Sequence, residues 1–189
     1  MRTVLAVCVL KTFCERLFPM VAFLLFTAVI GVNCFADQQT ISIGYGLGML
    51  NNNRQVGHLW CNDYYDFGVL TYAYEKSMTS KFNVTAEPFL SYVNRPQKGL
   101  DVGLTLNAKY YFMSSTNKGP FASIGGGGVY TTIGFKDQGT HGLFILQGGA
   151  GYAWEHLFLE ARFRHYSNSS LAHPNRSVNA TIMSIGYAF

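Results

Sequence analysis

The chain has 189 residues, a formal charge of +4, 15% aromatic residues and only 13% charged ones, with Gly abundant (20) and Pro scarce (5). The length suits one domain of ordinary size, and the mild charge argues against a nucleic-acid partner. A soluble domain would carry about 25% charged residues, and no apolar run beyond the first forty residues is long enough to span a bilayer as a helix. An aromatic, glycine-rich, charge-poor chain of this kind has the composition of a β-barrel facing lipid.

The first 36 residues have the layout of an export signal. Arg2, Lys11 and Arg16 are basic, Leu17 to Val32 is apolar, and Cys34-Phe35-Ala36 places small residues at −3 and −1 of a cleavage site before Asp37. An uncleaved helical anchor and a lipoprotein acylated on Cys34 are the alternatives, the second opposed by the large polar Asn33. Cleavage removes Cys8, Cys14 and Cys34 and leaves Cys61 without an internal disulfide partner. It also removes Arg2, Lys11, Arg16 and Glu15, so the formal charge falls from +4 to +2.

From Asp37 onward the hydrophobic period is 2, the period of a strand with two unlike faces. Ile41, Ile43, Tyr45, Leu47 and Met49 alternate with Ser42, Gly44, Gly46 and Gly48. A less regular strand falls somewhere in Val56 to Tyr74. Phe82 to Tyr92 alternates next, and Pro88 within it suggests a bulge. Asp101 to Phe112 alternates throughout, and a glycine-rich strand runs from about Phe121 to Thr131. Its Gly125-Gly126-Gly127-Gly128 follows no nucleotide-binding pattern and reads as close backbone packing. Leu143 to Trp154, Leu157 to Ser167 and Asn179 to Phe189 complete a count of eight.

The expected fold is all-β: an eight-stranded antiparallel transmembrane barrel. The polar faces carry Glu87, Asp101, Lys109, Glu160, Arg162 and Arg164, and a barrel of this size has a lumen that side chains fill. Placing these groups inside and the apolar faces in lipid avoids a wide apolar belt in water. An even strand count puts both ends of the domain on the periplasmic side. Glu155-His156 is then an inner turn, and Phe135 to Thr140 and Ser169 to Val178 lie in outer loops. The terminal Phe189 on an alternating strand resembles the assembly signal of bacterial outer-membrane proteins.

His165 and Ser167 share a face of their strand and have the parity of Leu157, Leu159, Ala161 and Phe163. Asn179 has the parity of Met183, Ile185, Tyr187 and Phe189. All three polar groups therefore point toward lipid, near the outer end. Isolated interfacial residues contacting headgroups would account for them one at a time. A His beside a Ser is also the minimum for an activated nucleophile, and converging on one patch the three suit a site acting on the outer leaflet. The other histidines, His58, His141, His156 and His173, show no ligand spacing, so no metal or cofactor is expected. Arg54, Arg95, Lys98 and Arg176 fall in the expected outer loops, facing lipid phosphates or solvent.

His165-Tyr166-Ser167-Asn168, then Pro174-Asn175, before a last strand ending in an aromatic, resembles the lipid A 3-O-deacylase (PagL) family. The specific residues of the resemblance lie between Arg164 and Phe189; the architecture extends it over the whole exported chain. It implies an outer-membrane esterase, with lipid A and outer-membrane lipids as its partners, that removes the acyl chain at position 3. It implies Ser167 as nucleophile and His165 as base, with Asn175 and Asn168 helping to hold the oxyanion. Two positions depart from the pattern. The family's acidic Glu falls on Asn179, and no Asp or Glu follows Glu160. The family's Ala-Gly after the motif is here Ser169-Ser170. A neutral Asn still accepts a hydrogen bond from imidazole and orients it, but adds no charge to stabilise the imidazolium. The rival readings are a non-enzymatic structural or adhesion barrel and a degenerate deacylase; a homodimer is compatible with either.

Overall fold

The computed structural model describes residues 37–50, 64–113, 117–135, 138–175 and 177–189. The expected leader, Arg54, His58, Cys61 and Arg176 lie outside them. Eight strands follow in order: β1 (Gln38–Leu50), β2 (Tyr64–Ser77), β3 (Phe82–Arg95), β4 (Gly99–Tyr111), β5 (Gly119–Thr131), β6 (Gly142–Ala153), β7 (Leu157–Ser167) and β8 (Val178–Ala188). Each pairs antiparallel with its neighbours, and β1 closes on β8, so the barrel has no free edge. Backbone bonds between Gln39 and Phe189 extend that closure to the last residue.

The alternation read from the sequence is the alternation of faces. On β7, Leu157, Leu159 and Phe163 are exposed while Phe158, Glu160, Arg164 and Tyr166 are buried. The second strand, the least regular in sequence, runs from Tyr64 to Ser77, later than its apolar pattern suggested. The bulge expected at Pro88 is absent. Pro88 pairs with Leu104 in an unbroken β3–β4 register. Its ladder to β2 skips two pairs and resumes unshifted from Thr71↔Phe89 to Tyr74↔Ala86. Pro88 lacks only an N–H, so it deletes a bond without adding a residue. The register shift lies instead between Asp66 and Phe67 of β2.

The interior is layered. In the middle, Arg162 bridges Glu87 at 2.6 Å and Glu160 at 2.7 Å, and Arg164 donates to Gln147 at 2.8 Å while lying 4.5 Å from the Phe89 ring. Gly125 and Gly127 make room for this belt: a Cβ on either would strike the backbone of β4. Lys109 pairs with Glu75 at 3.2 Å beneath Tyr111, Phe121 and Phe158. Toward the outer end the lumen is apolar, closed by Tyr65, Phe67, Phe89, Ile133, Phe135, Tyr166 and their neighbours. The polar interior is thus a belt with apolar caps. Paired charges of both signs fill it because an unpaired ion there would be costly.

Candidate active site

β7 carries His165 and Ser167 outward near its outer end, while Arg164 and Tyr166 between and before them turn inward. Tyr166 is 2% exposed and packs edge-on against Tyr65, which anchors the strand from inside. Register then decides what meets His165. Its partner on β8 is Asn179, and the imidazole Nδ1 lies 2.7 Å from Asn179 Oδ1. An amide oxygen only accepts, so Nδ1 carries the proton and Nε2 is left as the acceptor. This is the tautomer a general base toward Ser167 requires.

Ser167 is half-buried at the end of β7, and its side chain makes no hydrogen bond among the described residues. Catalytic hydrogen bonds are commonly long or unmade before substrate binds. On β6, Phe144 stands opposite Ser167 and Leu146 opposite His165, both exposed. Ser167 and His165 therefore sit against an apolar wall at the lipid face. Among the described residues no carboxylate shares it: Glu160 points inward to Arg162 and Ser123.

Just past Ser167 the chain enters the outer loop. Asn168 is fully buried, and the two N–H groups of its Nδ2 are shared among the carbonyls of Gln138 (2.5 Å), Ala172 (2.9 Å) and Pro174 (3.2 Å). Its Oδ1 accepts from the Ser170 amide at 2.9 Å. The Asn168 carboxamide is thus spent on the loop. Its backbone N–H donates to Asn175 Oδ1 at 3.0 Å, which fixes the Asn175 carboxamide. Among the described residues, Asn175 Nδ2 then has only a long 3.4 Å contact to Ser170 Oγ, so it is a donor with capacity to spare. Ser169 and Ser170 both adopt left-handed backbone, with φ of 50° and 63°, a region where side chains are disfavoured.

Sequence reasoning missed Gln138. It sits in the β5–β6 connection, 0% exposed, and receives Asn168. A contact between two loops leaves no periodic trace, so no local signal marks it. His141 and His156 bond backbone carbonyls and stack on Tyr130 and Tyr187. Among the described residues no three His, Cys, Asp or Glu side chains are grouped to hold a metal.

Comparison with curated proteins gives no match. Among solved structures the barrel is similar to the outer membrane enzyme PagL, with a TM-score of 0.58 at 16% identity over 77% of this chain and 97% of that one. It is also similar to the N-terminal β-barrel domain of Pseudomonas aeruginosa OprF, with a TM-score of 0.52 at 12% identity over 82% and 98%. At those identities the likeness concerns the fold. The family model for lipid A 3-O-deacylase (PagL) matches residues 39–188, nearly the whole barrel. The chain belongs to the lipid A 3-O-deacylase (PagL) family of outer-membrane ester hydrolases.

Proposed function

We propose that this barrel removes the 3-position acyl chain of lipid A through a Ser167-His165-Asn179 triad on its lipid-facing surface. The observation that carries the reading is the 2.7 Å bond from His165 Nδ1 to Asn179 Oδ1, which leaves Nε2 basic beside a serine on the same strand face.

In this mechanism Nε2 takes the Ser167 hydroxyl proton as Oγ attacks the ester carbonyl. The carbonyl oxygen becomes the oxyanion, held by Asn175 Nδ2. Asn168 serves it indirectly, holding Asn175 through its backbone N–H and the loop through its side chain. The tetrahedral intermediate collapses, and the imidazolium returns its proton to the departing sugar oxygen. Water, deprotonated by His165, then attacks the acyl-serine; as the ester bond breaks, the imidazolium returns the proton to Ser167 Oγ and the fatty acid is released. Loss of one oxyanion donor costs about 10²–10³ in rate. Asn179 orients the imidazole but leaves the imidazolium without a countercharge, so turnover is slower than a carboxylate would allow. Residues 1–36 act as the export signal and are removed at Ala36.

The deciding experiment is mass spectrometry of lipid A from cells expressing the protein or its Ser167→Ala variant. Folding of both is checked by heat-modifiable gel mobility. Loss of one hydroxyacyl mass with Ser167 intact, and none with Ser167→Ala, is expected. Unchanged lipid A beside a folded Ser167 barrel would support a degenerate or structural role.

A further inference from the structure

The barrel carries a second polar arrangement on its outer rim, on strands the hydrolysis does not use. Asp66 lies at the register shift of β2, between the inward rings of Tyr65 and Phe67. Both its oxygens are taken. Arg95 Nε donates to Oδ1 at 2.7 Å, and Tyr45 OH (2.8 Å) and Asn94 Nδ2 (3.1 Å) donate to Oδ2. The carboxylate is covered, with its side chain 3% exposed, whereas the Arg95 side chain remains 54% exposed.

Arg95 is held on two sides. The Asp66 bond uses Nε, one of five guanidinium donors, and the guanidinium carbon lies 5.9 Å from the Tyr64 ring centroid. An arginine restrained this way meets an anion with less rotamer entropy to lose than a free one. Arg95 ends β3, at the end of the barrel bearing the connections read as extracellular, and Lys98 is exposed in the turn that follows. With Asp66 neutralising one charge, Lys98 leaves this corner net positive. Exposed Tyr45 and Tyr92 on the same strands belong to the kind of aromatic girdle that marks headgroup depth.

We propose that Arg95, assisted by Lys98, is a binding site for the phosphate of an outer-leaflet lipid, and that this lipid is lipid A. Guanidinium matches phosphate by paired hydrogen bonds, and lipid A presents phosphate on its sugar headgroup at this depth. The occupant is not the molecule being hydrolysed. β3 and β7 are four strands apart in a ring of eight, so Arg95 and Ser167 face opposite flanks. The site holds a second lipid and keeps the barrel within the lipid A leaflet; it does not depend on the proposed triad.

The test uses the full chain with Ser167→Ala, so that bound lipid is not hydrolysed, and counts lipid A molecules retained by native mass spectrometry. Two are expected on this protein and one on Arg95→Gln, whose affinity for the second falls about ten- to a hundredfold, the range for a charge-assisted hydrogen bond. Lys98→Gln weakens it less, and Arg95→Lys recovers part of it. Lipid A stripped of phosphate should not show the second adduct. Equal retention by Arg95→Gln, or a second adduct with dephosphorylated lipid A, would overturn the site. Phosphatidylglycerol held as well as lipid A, or displacement by inorganic phosphate, would overturn the assignment to lipid A. With Ser167 restored, Arg95→Gln should hydrolyse a short-chain nitrophenyl ester as the unsubstituted protein does. Absence of that hydrolysis in both would count against the triad and leave the phosphate site standing on its own adducts.

Discussion

At residue scale the proposed triad turns on the contact of His165 with Asn179. An Asn in the orienting position of a triad fails when it presents its N–H₂ group and forces the wrong imidazole tautomer. Here Oδ1 faces Nδ1, so the tautomer is right and only the charge is missing. Asn179→Glu should therefore raise kcat/KM about ten- to a hundredfold, the worth of a hydrogen bond made to a charged partner. The same carboxylate would supply the countercharge that the imidazolium lacks with Asn179, so the gain should lie in kcat. Asn179→Ala should lower the rate and leave Nδ1 without its acceptor. Steady-state kinetics across pH on refolded protein measures all three, and an Asn179→Glu variant no faster than Asn179 would deny this residue its role.

At the scale of elements the outer loop behind Ser167 is built around Asn168. Three carbonyls from two connections converge on its Nδ2. Asn168→Ala leaves them without a buried donor, at a cost of about 1–3 kcal/mol. It should loosen the β5–β6 and β7–β8 loops and lower kcat through Asn175, read by limited proteolysis of the outer loops alongside kinetics. Ser170 works the other way. At φ 63° it occupies backbone that glycine adopts freely. Ser170→Gly removes the strain of a side chain there but gives up the Oγ contact to Asn175. The loop should become more stable by about 1 kcal/mol, seen as a higher unfolding temperature in detergent.

At the scale of the whole molecule, the lipid-facing belt and the charged lumen are complementary solutions to one solvent. Lipid satisfies the apolar outer faces, and closure of β1 on β8 leaves no strand edge unpaired. The lumen then needs paired ions. Arg162 is the shared partner of Glu87 and Glu160. Arg162→Met leaves two carboxylates facing each other and should destabilise the barrel by about 3–5 kcal/mol. Adding Glu87→Gln should recover part of that loss. Urea titration of the barrel in lipid vesicles measures both, and equal stability of Arg162→Met would mean the belt is not held by this bridge.

The sequence by itself determined the strands, their faces and the direction in which His165, Ser167 and Asn179 point. Side-chain parity is a local property of extended backbone, so it is written in every second residue. The His-Tyr-Ser-Asn run likewise carried the family resemblance that the family match bears out. Only the tertiary structure decided the rest. Register set Asn179 opposite His165, and a missing N–H at Pro88 passed without a bulge while the shift fell at Asp66. The lumen divided into a charged belt and apolar caps, and Asn168 turned into its loop to reach Gln138. These features depend on which distant segments the closed barrel brings together, and no local period encodes that.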